Sequence, residues 1–345
     1  MGYLDKIKET IYNIIKNISY KAMPNFSSLD ETELILLLEY ALLDVWNNNY
    51  NIQYLSSLKM HKIMYDVSER EDLPITRSWY MLGNNIHQRE IVRLDFGRYL
   101  FNNPENVSLN DGGIFDISQL IRNNIEVYSE FIRCIKSVIN DTNIVMTDSW
   151  NYRRWLYREK APRKFSLCYQ ASLEYLAFLA RFDNDFYIRS KFVIDNCNEV
   201  TTNLHKSILQ IEDFIPFFEI LIEFTDTVED AILKSSLKIR DNSFISSDLE
   251  YLSEQQEIFR DTVWKPFAKI IAIETVKGPR KEEIIEQYRR DLEDLSEVKR
   301  DIIENSNKAK ELELYLTKND FNQMFPLNDE TKKTIIEVGN IIQRG

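Results

Sequence analysis

Ser28-Leu29-Asp30-Glu31-Thr32-Glu33-Leu34-Ile35-Leu36-Leu37-Leu38-Glu39-Tyr40-Ala41-Leu42-Leu43-Asp44-Val45-Trp46, residues 28 to 46, reads as one helix. Ser28 and Glu31 stand at the spacing of a capping box, in which a hydroxyl and a carboxylate satisfy the first free amides of a helix. Leu34 to Leu38 then leave little polar stripe, so the segment predicts a deeply buried helix that ends near Trp46, where Asn47-Asn48-Asn49 breaks it. A helix that is apolar nearly all round needs other helices around it.

Outward from this stretch the helical spacing recurs. Leu4, Ile7, Ile11, Ile14, Ile15 and Ile18 predict a helix over 3–21 that Pro24 ends, and Leu55, Leu58, Ile63, Met64 and Val67 predict another over 53–69. The period changes once, after Pro74, where Ile75, Arg77, Trp79 and Met81 alternate with Thr76, Ser78, Tyr80 and Leu82 as in a strand, and Gly83-Asn84-Asn85 turns the chain. A helix is expected over 86–101. Asn102 to Gly113, with Pro104 and Gly112-Gly113, reads as a linker. Beyond it Asp116 and Gln119 start a helix towards Ile139, and further helices are expected near 166–182, 185–211, 216–238 and, behind a capping box of Ser247 and Glu250, 248–262. After Gly278-Pro279 comes a long charged helix over about 280–317, whose heptad of Ile285, Tyr288, Leu292, Leu295 and Ile302 fails at Lys299 and Ser306, so an arm packed on its own domain is expected rather than a dimeric coiled coil. A last short helix starts at Asn328.

Composition agrees with this pattern. Only 8 Gly and 8 Pro punctuate 345 residues, too few for the tight turns of a sandwich or a doubly wound sheet. The fold class expected is mainly α and multi-helical, with a small helical or winged-helix-like N-terminal domain over 1–113 and a larger helical domain over 114–345. The three cysteines, Cys134, Cys168 and Cys197, form no disulfide framework or CxxC metal site and are expected as buried thiols of a cytoplasmic protein. The most apolar windows are too short to span a bilayer, and no membrane partner is expected.

One stretch contradicts the acidic balance of the chain, whose net charge is -12. Residues 150–164 hold six basic residues and four aromatics against one acid. Arg153, Arg154, Trp155, Arg158, Arg163 and Lys164 are therefore candidate nucleic-acid-binding residues, because guanidinium groups neutralise phosphates while aromatic faces stack on unpaired bases. The plainer and preferred reading of the same residues is a helix that buries Trp150, Trp155 and Tyr157 and pairs its arginines with the chain's carboxylates.

Other chemistry is sparse. His61, His87 and His205 never stand at metal-ligand spacing, and no phosphate-cradling loop or nucleophile elbow occurs. Glu219 with Glu223, and Glu282 with Glu286, lack the Glu-x-x-His repeats of a dimetal bundle and read as solvated stripes. No catalytic residue, metal set or cofactor is expected.

Leu58-Lys59-Met60-His61-Lys62-Ile63-Met64-Tyr65 followed by Trp79-Tyr80-Met81-Leu82-Gly83 resembles the signature of the SocA-like (Panacea) antitoxin-associated domain and related winged-helix-like proteins. Asn84 stands where that signature has proline, and nothing after residue 113 matches. Lys62 and Tyr65 also read plainly as core-edge residues of an amphipathic helix. The resemblance implies an antitoxin or adaptor role. The function expected is a non-enzymatic, cytoplasmic interaction or regulatory protein with a protein partner, and the alternative is a nucleic-acid-binding regulator or defence effector using 150–164.

Overall fold

The computed structural model describes residues 26–49, 55–87, 106–108, 114–142, 144, 147–182 and 186–324. The helices expected over 3–21, over most of 86–101 and from Asn328 lie outside these residues, as does most of Asn102 to Gly113. The chain is mainly helical. Among the described residues its strands form two two-stranded sheets, β1 (Arg77–Tyr80) with β2 (Gly83–Ile86) and β3 (Asn106–Ser108) with β4 (Ile114–Asp116). Two compact units divide the chain. The first takes the described residues of 1–77, 84–148 and 277–281, and the second those of 78–83, 149–276 and 282–345.

In the first unit α1 (Glu31–Asn49) packs against α4 (Ile125–Thr142), which also receives α2 (Ser57–Arg70), while α3 (Ile117–Asn123) lies on α1. The apolar run of α1 is buried throughout Leu34 to Leu38, so its lack of a polar stripe is explained by partners on several sides. Its cap differs from the expected one. Asp30 accepts from the Glu33 amide at 2.8 Å and Glu33 from the Asp30 amide at 3.0 Å, a capping box two residues beyond Ser28 and Glu31. Asp116 caps α3 as expected, accepting from the Gln119 amide at 2.9 Å. The single helix expected to Ile139 breaks at Asn124, which leaves helical dihedrals while its side chain holds the Leu120 carbonyl at 3.0 Å. The strand expected after Pro74 is β1, but Gly83 and Asn84 belong to β2 and the turn falls at Met81 and Leu82.

The second unit holds α5 (Ser149–Glu159), α6 (Ser166–Leu179), α7 (Phe186–Leu209), a 3-10 segment (Glu212–Phe217) running straight into α8 (Phe218–Arg240), and α9 (Ser246–Ile258). A π turn, Phe259–Val263, then leads to α10 (Lys265–Thr275), α11 (Lys281–Glu293), α12 (Ser296–Glu311) and α13 (Lys318–Met324). An aromatic ladder fills its core: Tyr169 meets Tyr157 at 4.8 Å, Trp79 at 5.4 Å and Trp264 at 5.9 Å, and Phe259 meets Tyr175 at 4.9 Å. Cys134, Cys168 and Cys197 are buried free thiols, as expected. The cap of α9 is Asp248 rather than Ser247, its carboxylate accepting from the Ile245 amide at 3.0 Å. The long charged helix expected over 280–317 is two helices, because the Asp294 carboxylate captures the Ser296 amide at 3.0 Å and restarts the chain as α12. No helix among the described residues is long and apolar enough to cross a membrane.

Candidate functional site

The basic aromatic stretch forms α5, and helical spacing sorts its residues. Tyr152, Leu156 and Tyr157 are buried, whereas Asn151, Arg154 and Arg158, at positions i, i+3 and i+7, share the exposed face. Arg153 is half-buried, its guanidinium 4.2 Å from the centroid of the Trp150 ring, and burial lowers its pKa. Trp155 is half-buried against Tyr152, ring centroids 5.6 Å apart. Arg163 is exposed, and so is Lys160. Arg158 bonds its neighbour Glu159 at 2.7 Å, an exposed pair worth roughly 0–1 kcal/mol that leaves most of its charge in play. Lys164 bridges Glu274 at 2.5 Å and Asp213 at 2.9 Å. The structure thus separates the six candidates: Arg154, Arg158 and Arg163 face solvent, Arg153 and Trp155 support the helix, and Lys164 joins the end of α5's loop to the 3-10 segment.

The segment that Lys164 reaches begins the second feature. At about 100° per residue, Ile215, Glu219, Ile222, Glu223 and Asp226 fall within an arc of about 120° on the outer side of α8 and its 3-10 lead, and all are exposed. Ile220, Leu221, Phe224, Val228, Ala231 and Ile232 occupy the opposite, buried side. The arc continues through half-buried Glu229 and Asp230, whose pKa values are raised by burial first and by Asp226 next. The row stops at Lys234, which Asp320 holds at 2.7 Å. Asp226, Glu229 and Asp230 were not picked out from the sequence, although the step of three from Glu223 to Asp226, and of three and four from Asp226 to Glu229 and Asp230, is the signal that finds them. Like charges at these spacings cost roughly 0.2–0.5 kcal/mol per pair. Beneath the row Tyr175 is fully buried, its hydroxyl pKa raised by burial and then by Cys197 and Glu229, and burial pushes the Cys197 thiol up to about 12.

Several ionisable groups of the first unit are instead closed on partners inside it. Glu31 accepts from the Thr76 amide at 2.5 Å and from Arg280 Nε at 2.7 Å, and Arg280 also donates to the His87 carbonyl at 2.5 Å. Arg77 bonds Glu69 at 2.8 Å, and its backbone pairs with that of Lys277. Lys62, which the resemblance singled out, is buried and donates to the carbonyl of Asn84, whose amide reaches Asp66 at 3.3 Å. His87 is held neutral, its pKa pushed down to about 4 by burial, then by Arg280 and His61. A hollow of about 430 Å³ beside this network is lined by Asp30, Glu31, Thr32, Pro74, Pro279 and Arg280. In the second unit a cleft of about 570 Å³ runs along the stacked rings of Tyr80 and Tyr288, with Lys269 paired to Asp291 at 2.8 Å. Among the described residues no group of three or more His, Cys, Asp or Glu side chains converges as a metal set.

A family described by a domain of unknown function, DUF8098, matches residues 102–339, more than half of the chain. No curated protein and no solved structure matches.

Proposed function

The chain belongs to the DUF8098 family, and from that premise we propose that it is a non-enzymatic interaction or regulatory protein of the cytoplasm. One observation carries this reading: Glu31 pairs with Arg280 and Glu69 with Arg77 inside the fold, whereas the faces of α5 and α8 carry solvent-exposed charge beside large side chains. Catalysis draws on titratable groups that converge in a cleft and stay available to a substrate. Recognition draws on exposed rows of charge flanked by aromatic and aliphatic anchors. The resemblance of 58–84 to the SocA-like domain adds an adaptor role and a winged-helix-like N-terminal domain over 1–113, and the succession of α1, α2 and the β1–β2 hairpin along the chain supports it.

The second reading is a nucleic-acid-binding regulator, favoured by the three solvent-facing arginines Arg154, Arg158 and Arg163. A photo-reactive residue placed at position 154 in living cells separates the two. Protein adducts are expected. Adducts to nucleic acid alone would establish the second reading, and no adduct of either kind would sink both.

A further inference from the structure

The faces of α5 and α8 are complementary in charge and lie on one unit. Lys164 and Asp213, 2.9 Å apart, join the loop after α5 to the segment before α8, and Phe165 stacks on Phe214 at the same place. One unit thus carries both a basic aromatic face and an acidic aliphatic face. Opposite faces of that kind can complement each other across a two-fold rotation, which sets residue i of one copy against residue j of the other, and j against i.

We propose that the protein forms a two-fold homodimer in which α5 of each copy lies along α8 of the other. Arg154 and Arg158 of one copy face Glu219 and Glu223 of its partner, and half-buried Trp155 meets exposed Ile222. The row on α8 repels itself while unpartnered, and Arg158 has only an exposed neighbour to pair with, so both faces gain on association. Ile215 and Ile222, 53% and 36% exposed, supply the apolar centre that charge alone does not. Two contacts, each about three helical turns long, bury on the order of 1,000 Å², the lower end of specific interfaces. The net charge of -12 opposes association, but beyond a Debye length of about 10 Å at 0.1 M salt that repulsion is largely screened, so at contact the facing residues dominate. The acidic row on the same unit and the net charge of -12 disfavour phosphate, which favours a second copy over nucleic acid as the occupant of α5.

This inference rests on the interaction reading and names its partner. The test is sedimentation velocity of the full chain over a concentration series at 50 and 500 mM salt. A dimer that weakens at the higher salt is expected. Arg154→Glu with Arg158→Glu, and separately Glu219→Arg with Glu223→Arg, should each raise the dissociation constant at least tenfold. Combining all four should bring it back to within about threefold of the parent. Should a charge-reversed chain lose its circular dichroism signal, Arg154→Gln with Arg158→Gln takes its place, with the same tenfold weakening expected. A monomer at all concentrations, unchanged dimers in both double variants, or no recovery on combining them overturns the proposal. Any of these leaves the interaction reading standing, since that falls only on the cross-linking result.

Discussion

Glu31 and Arg280 of the first unit have side chains 14% and 12% exposed and satisfy each other at 2.7 Å, whereas Arg154 and Arg158 on α5 and Glu219 and Glu223 on α8 of the second stand in solvent. Both regions are rich in charge, but desolvation makes the difference. A charge taken out of water must find its partner inside the fold, and its removal leaves the partner stranded. A solvated charge has no such obligation, so it is free to serve another molecule. Charge density in the sequence therefore does not tell closed charges from open ones, and the degree of burial does.

The largest effect is expected from breaking the closed region. Arg280→Met should cost about 3–5 kcal/mol, because the Glu31 carboxylate would be left buried and unmatched. Urea unfolding measures this, and a loss under 1 kcal/mol would remove the contrast between the two regions.

His87 sharpens the same point through pH. Its folded pKa lies near 4, below the ordinary value of 6.5, so the neutral ring is the form that the fold holds. The sign follows: its contribution is complete above about pH 6.5 and is lost as pH falls towards 4. At about 1.36 kcal/mol per unit, the loss is on the order of 3 kcal/mol. Stability measured between pH 7 and 4 should fall less steeply in His87→Gln. Parallel curves for the two proteins would contradict the assignment.

Gly278 tests the backbone of the closed region. Its φ is +107°, and a Cβ there would lie 2.6 Å from the Ile75 carbonyl oxygen. Gly278→Ala should cost roughly 1–3 kcal/mol in thermal or denaturant unfolding. An unchanged midpoint would mean that this approach is not required.

The smallest effect belongs to the open region. Arg154→Ala with Arg158→Ala should stay within about 0.5 kcal/mol of the parent, since neither side chain is buried. A loss above 2 kcal/mol would show that α5 uses these arginines to hold the fold.

The helical class was legible because apolar spacing of three and four is a local signal. Leu34 to Leu38, Asp116 with Gln119 and the stripe from Ile220 to Ile232 all formed helices from information within a few turns. Breaks were harder to see. The step between α11 and α12 depends on one carboxylate, that of Asp294, choosing a nearby amide over solvent, and periodicity carries no trace of that choice. The cap of α1 shifted for the same reason, since Ser28, Asp30, Glu31 and Glu33 offer overlapping boxes and Glu31 is drawn off to Arg280.

By itself the sequence determined that this protein is helical, that its cysteines lie in the core and that residues 150–164 differ from everything around them, since each follows from composition or from neighbours along the chain. Only the tertiary structure decided which charges are closed and which are open. Glu31 meets Arg280 across 249 positions and Lys164 meets Glu274 across 110. Pairing at such separations is set by which elements pack together, and the free energy of a charge depends on the burial that packing brings.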